Sequence, residues 1–139
     1  MKKVLFGLFS LVLLGTACKK SKDAPAITKE NISGTYIVTA ATMRVGSSPE
    51  ADLLANMDAC EKDDQYKLNL DGTFAFIDAG TQCSPPMDYT GEWSLTGNTI
   101  TIDGETGTVT KFDGSNLEVT SEYTDSGMTF IIRTNYKKQ

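Results

Sequence analysis

Hydrophobic and polar residues alternate along most of this chain with the two-residue period of a half-buried β-strand. The sharpest instance lies between Cys60 and Cys83, in CEKDDQYKLNLDGTFAFIDAGTQC. Residues 65–70 set Tyr66, Leu68 and Leu70 on one face, Asp71-Gly72 supplies a turn, and residues 73–77 return with Phe74 and Phe76. That pattern predicts a β-hairpin. Residues 35–43 read as an earlier strand, with Tyr36, Val38 and Ala40 on one face and Ile37, Thr39, Ala41 and Met43 on the other, a poor polarity contrast. Residues 87–95 are clearer: Tyr89, Gly91, Trp93 and Leu95 alternate with Asp88, Thr90, Glu92 and Ser94.

Four more strands follow at short intervals. Gly97-Asn98 turns into 99–103, where Ile100 and Ile102 alternate with threonines, and Asp103-Gly104 leads to a weaker strand at 107–112. Asp113-Gly114-Ser115 precedes 116–123, with Leu117 and Val119 inward. Asp125-Ser126-Gly127 precedes 128–136, where Met128, Phe130, Ile132 and Tyr136 share a face. Two places depart from the strand rhythm. Thr28 before Lys29-Glu30-Asn31 predicts a single helical turn, and Ser48 with Pro49 predicts the N-terminus of a short helix over 51–57 that buries Leu53, Leu54 and Met57. Eight short strands and one small helix predict an all-β protein, an eight-stranded antiparallel up-and-down barrel whose closure removes exposed edges. A β-sandwich is the alternative, but Greek keys need long crossings and nearly every connection here is hairpin-short.

The first 17 residues fall outside this pattern. Lys2 and Lys3 precede an apolar run at 4–14, and Gly15-Thr16-Ala17 are small, which predicts an export signal peptide over 1–17. The run is shorter than the about 20 residues a spanning helix requires. Leu14-Gly15-Thr16-Ala17-Cys18 resembles the lipobox of bacterial lipoproteins, with Gly15 where that pattern usually has leucine. The resemblance implies lipidation of Cys18 as the first mature residue. Cleavage by an ordinary signal peptidase is the alternative, since Gly15 and Ala17 are both small. Residues 18–26 then read as a lipid-anchored tether and 27–139 as the barrel domain. The expected location is the cell envelope, anchored to the outer membrane. The periplasmic face is favoured over the cell surface because Lys19-Lys20-Ser21-Lys22-Asp23 is mostly basic.

Charge and cysteines narrow the chemistry. The chain has 13 basic and 18 acidic side chains and no histidine, a formal charge of −5. Nothing basic is clustered to neutralise phosphates, so nucleic acid is not an expected partner. Beyond Cys18 two cysteines remain, an even number in an exported chain, and a Cys60–Cys83 disulfide is expected. Closing a loop of about 24 residues removes roughly 3.5 kcal/mol of freedom from the unfolded chain on the entropy model.

These residues resemble a known family. Gly34-Thr35-Tyr36 stands where lipocalins place a Gly-x-Trp motif, whose aromatic ring plugs the closed end of the barrel; here Tyr36 replaces the tryptophan. ACEKDDQYKLNLDGTF, the second cysteine and YTGEWSLTGNTITI resemble, in order, the lipocalin-like domain of small lipoproteins from Gram-negative bacteria. The resemblance spans most of 32–136. It implies an eight-stranded barrel, a lipid anchor and a small hydrophobic ligand.

No catalytic constellation is legible. The absence of histidine excludes Ser-His-Asp and Cys-His triads and histidine-based zinc sites. Cys60 and Cys83 flank a hairpin and form no CxxC turn, so a structural role is expected. Asp58, Glu61, Asp63 and Asp64 lack the alternating ligand order of a calcium loop and read as a solvated loop. Glu92 adjoins Trp93 but points to the opposite face, with no partner carboxylate for sugar chemistry. The expectation is a monomeric, non-catalytic binding module with no cofactor or metal. Its ligand lining would come from Tyr36, Tyr66, Phe74, Phe76, Tyr89, Trp93 and Phe130, with Tyr136 on the same side. The competing expectation is a barrel filled by its own side chains, acting as an interaction or structural module that contacts another envelope protein or inhibits a hydrolase.

Overall fold

The alternating stretches become strands of one closed barrel in a computed structural model that describes residues 24–139. The predicted signal peptide and the lipidation site Cys18 lie outside the described residues. A single helical turn, α1 (Lys29–Ile32), precedes β1 (Gly34–Val45), β2 (Ala51–Asp52), β3 (Gln65–Leu68), β4 (Thr73–Ile77) and β5 (Tyr89–Thr96). Then come β6 (Thr99–Ile102), β7 (Glu105–Phe112), β8 (Asn116–Asp125) and β9 (Met128–Lys138). Apart from the two-residue β2, each strand pairs antiparallel with the next in sequence, and β1 pairs with β9 to close eight strands into an up-and-down barrel. The D-G and G-N turns act as read: Asp103 and Gly104 both take positive φ (50° and 85°), as a two-residue hairpin turn of the I′ kind requires.

Strand direction gives the barrel two unlike ends. One end gathers α1, the 69–72, 97–98 and 113–115 turns and the C-terminus; it is closed. Thr28 caps α1 by accepting a hydrogen bond from the Asn31 amide (3.3 Å), and α1 delivers Ile32, which is fully buried. Tyr36 lies under it, 1% exposed, and its hydroxyl donates to the Ile32 carbonyl at 2.6 Å. Burial pushes the Tyr36 phenol up to about 12, so it stays a hydrogen-bond donor at any physiological pH. Trp93 (3% exposed), Leu68, Phe74, Ile100, Val109, Phe112 and Leu117 complete this core. The Trp93 indole N–H donates to the Asn69 carbonyl at 2.7 Å, fixing the ring to the β3–β4 turn.

The other end is open and carries the long connections, residues 46–64 and 78–88. The Cys60–Cys83 disulfide, with Cα atoms 5.2 Å apart, ties one to the other.

Several expectations change in detail, each for a tertiary reason. The helix expected over 51–57 is instead β2, paired with Thr42 and Met43, followed by a 3-10 turn at Leu54–Asn56. β3 pairs with β1 only as far as Ile37, which leaves β1 an unpaired edge that β2 and the Leu53 amide (donating to the Ala41 carbonyl, 2.8 Å) satisfy. Ser48 closes a turn with Val45 and caps no helix. A bulge between Val38 and Ala40 shifts β1's register, so Ala41 is buried in place of Ala40; this explains the strand's poor contrast. Leu70 lies in the 69–72 turn and is 57% exposed, and Met87 and Met128 are likewise outside the core.

Candidate functional site

Below its midpoint the barrel is solid; above it there is space. Tyr66 from β3 meets Tyr136 from β9 edge-to-face at 5.5 Å across the interior. Tyr66, Tyr136, Ile102 and Val119 border both a void of about 10 Å³ on the closed side and a cavity of about 340 Å³ on the open side. They are therefore the floor of the cavity. The void is at the limit of a single water, while the cavity falls near the lower bound of the roughly 300–1,000 Å³ typical of small-molecule sites.

Aromatic side chains form one wall. Phe74 and Tyr89 meet edge-to-face at 5.8 Å, and Phe76 stacks on Tyr89 at 5.2 Å while presenting its edge to Tyr66 at 5.2 Å. Tyr89 stands at the rim, 45% exposed. Burial holds the phenols of Tyr66, Tyr89 and Tyr136 above the usual tyrosine value, and Asp103 raises Tyr89 further. All three are neutral donors at neutral pH.

Two inward-facing glycines also shape the walls, Gly91 beside Phe74 on the aromatic side and Gly107 on β7. A Cβ on Gly91 would meet the Asp103 carboxylate, so its absence lets Asp103 fold from its turn over β5. A Cβ on Gly107 would meet Val119 and Ser121, so its absence lets β8 carry both side chains into the cavity. Asp103 and Glu105 are the charged residues of the lining, and both are acidic.

The expected lining is thus brought together in part. Tyr66, Phe74 and Tyr89 border the cavity, and Phe76 backs them from within the wall. Tyr36 and Trp93 belong to the closed-end core and do not reach the cavity. Phe130 does not reach it either: it lies near the tip of the β8–β9 hairpin, where it stacks on Tyr123 at 4.9 Å with the rings 4° apart. Asp103, Glu105 and Ser121 were not anticipated. A signal existed for two of them, since Glu105 shares the inward parity of Gly107 and Val109, and Ser121 that of Leu117 and Val119. A larger depression of about 520 Å³ lies outside the wall of β4–β6, bordered by Lys29, Glu92, Ser94 and Thr101. Glu92, Ser94 and Thr101 alternate with the inward positions, and the depression is a groove on the outer surface.

The acidic residues between 58 and 64 organise the open end. Asp58 and Glu61 cap each other's backbone amides around a 3-10 turn, and Asp63 accepts from the Thr81 amide at 2.9 Å. Asp78, 4% exposed, accepts from the amides of Cys83 and Met87, while Asp88 accepts from the amide of Asp78 at 2.7 Å. Carboxylates thus pin the 78–88 loop. Among the described residues no group of three or more histidine, cysteine, aspartate or glutamate side chains is placed to hold a metal ion.

Two members of this set carry a cost: Oδ1 of Asp63 is buried without a hydrogen-bond partner among the described residues, and Asp64 is the more enclosed residue. Asp64 is 6% exposed and its Oδ1 has no hydrogen-bond partner among the described residues. Burial first, then the charge of Asp78, raises its pKa; Asp63 and Glu61 add to this, and the Ala79 amide opposes it. The folded chain therefore binds this proton more readily than the unfolded one. Its contribution to stability is full below the ordinary aspartate range and is lost as pH rises through the raised folded value. Asp64→Asn should gain on the wild type as pH climbs from 4 to 7, measured by urea unfolding at each pH. A constant difference would contradict the assignment.

A family model described as a lipocalin-like domain matches residues 27–130. No curated protein and no solved structure matches the chain.

Proposed function

Because this chain belongs to the lipocalin-like domain family, we propose that it is a non-catalytic binding module whose barrel mouth holds a small hydrophobic ligand. One observation carries the proposal: the cavity of about 340 Å³ floored by Tyr66 and Tyr136 and rimmed by Tyr89. A concave space in which aromatic and aliphatic side chains stand beside Asp103, Glu105 and Ser121 suits the binding of a small molecule with an apolar body. A filled barrel acting only through its surface would leave no such space. The cavity's size suits a compact ligand of one or two rings better than a long acyl chain.

The test is titration of the purified full chain with N-phenyl-1-naphthylamine, a neutral apolar fluorophore. Saturable enhancement at about one probe per barrel is expected, and Tyr89→Ala should weaken it several-fold while leaving the fold intact, because Tyr89 is a rim residue. Absence of saturation below the concentration at which the probe aggregates would overturn the proposal.

The proposal includes the cellular address. Residues 1–17 serve as the export signal, Cys18 carries the lipid, and residues 18–26 tether a monomeric barrel to the outer membrane on its periplasmic face. The lipobox-like residues 14–18 support this. Several acyl chains, at about 0.8 kcal/mol per buried methylene, would make such an anchor effectively permanent. Cys18→Ser should shift the protein from the membrane fraction to the soluble periplasm. Retention in the membrane fraction would refute lipidation.

A further inference from the structure

Charge is distributed very unevenly between the two ends of the barrel. The open-end segments 46–64, 78–88, 103–105 and 125–128 hold eleven carboxylates against Lys62, with Arg44 near the end of β1 and Arg133 of β9, which pairs with Glu50 at 2.9 Å, as the nearby cations. The closed-end segments 24–33, 69–72, 97–98, 113–115 and 137–139 are balanced, with Glu30, Asp71 and Asp113 against Lys29, Lys137 and Lys138. A concave site ringed by one sign of charge and backed by low-dielectric walls focuses the field into its mouth. Two of these carboxylates, Asp103 and Glu105, line the cavity itself, and among the described residues no lysine or arginine lines it.

The remaining walls suit the same ligand. Tyr66, Tyr89 and Tyr136 border the space, and aromatic rings attract cations electrostatically. Phe74, Ile100 and Ile102 provide an apolar surface beside them. Gly91 is the device that admits the acid, since any side chain there would displace the Asp103 carboxylate. Building on the binding role above, we propose that the ligand is an organic cation, an ammonium group carried on a compact aromatic or branched apolar body. The ammonium lies between Asp103 and Glu105, and the apolar body packs down onto Tyr66 and Tyr136. An anionic amphiphile such as a fatty acid is disfavoured by the same field.

A charge series on one ring system tests this. The purified full chain is titrated calorimetrically with (1-naphthylmethyl)trimethylammonium, 1-naphthylmethanol and 1-naphthylacetate. The cation should bind at least tenfold more tightly than the alcohol, and the acetate more weakly than either. The cation's advantage should shrink as salt is raised. Asp103→Asn with Glu105→Gln should abolish the cation's advantage over the alcohol. Asparagine tolerates the positive φ at position 103, and an unchanged unfolding midpoint verifies the fold. Equal binding of cation and alcohol would overturn the cation assignment while the binding module stands. No saturable binding of any of the three would overturn both.

Discussion

Replacing Trp93 with alanine should lower the unfolding free energy by about 3–5 kcal/mol, the range for truncating a large buried aromatic. The ring is 3% exposed within the closed-end core, so its removal leaves a void that eight hydrogen-bonded strands have little freedom to collapse. The Asn69 carbonyl also loses its indole donor. Trp93→Phe separates the contributions. It keeps most of the packing and gives up the hydrogen bond, so it should cost on the order of 1–2 kcal/mol. Equilibrium urea unfolding measures both, and the wild-type emission, from the only tryptophan in the chain, should be blue-shifted and poorly quenched by iodide. A loss below about 1 kcal/mol for the alanine variant would mean that the ring is not part of the core.

Removing the Cys60–Cys83 bridge, as Cys60→Ala with Cys83→Ala, should cost about 2–4 kcal/mol, in line with the freedom regained by a loop of this length. The effect should be spatially polarised. The bridge joins two open-end segments, while the closed-end core of Tyr36, Trp93 and Ile32 lies elsewhere. The far-UV sheet signal should therefore persist. Amide exchange should accelerate at Cys83→Ala and Met87, whose N–H groups depend on the loop-pinning carboxylate of Asp78. Uniform acceleration through β5–β8, or loss of the sheet signal, would show that the bridge is required for the whole barrel. Free thiols at Cys60 and Cys83 in the oxidised protein would remove the basis of the prediction.

The acidic loop shows how one residue pattern can serve an unexpected purpose. In sequence, Asp58, Glu61, Asp63 and Asp64 read as solvent-facing charge. In the fold, Asp58, Glu61 and Asp63 accept specific backbone amides and Asp64 is buried. The Asp58–Glu61 exchange is local, but the Asp63 contact is not legible in sequence spacing, because its donor, the Thr81 amide, lies 18 residues away.

Much of the fold was a local matter, and local matters are legible in sequence. Period-two alternation assigns the two faces of each strand, and Asp-Gly or Gly-Asn pairs provide the positive φ that tight hairpins need. An unbroken series of hairpins then leaves closure as the way to remove edges, and β1 does pair with β9. The inward position of Trp93 and the Cys60–Cys83 pairing follow from such reasoning and appear in the structure. What only the tertiary structure decided concerns volume and distance. Tyr36, Tyr66, Trp93 and Tyr136 all point inward, yet whether one fills the base or bounds a cavity depends on its height along the barrel and on residues from other strands. The bulge in β1, the four-residue length of β3 and the missing Cβ atoms at Gly91 and Gly107 set those heights and gaps. Each acts between strands far apart in the chain. Alternation tells each side chain which way to face; the closed barrel determines what it meets there.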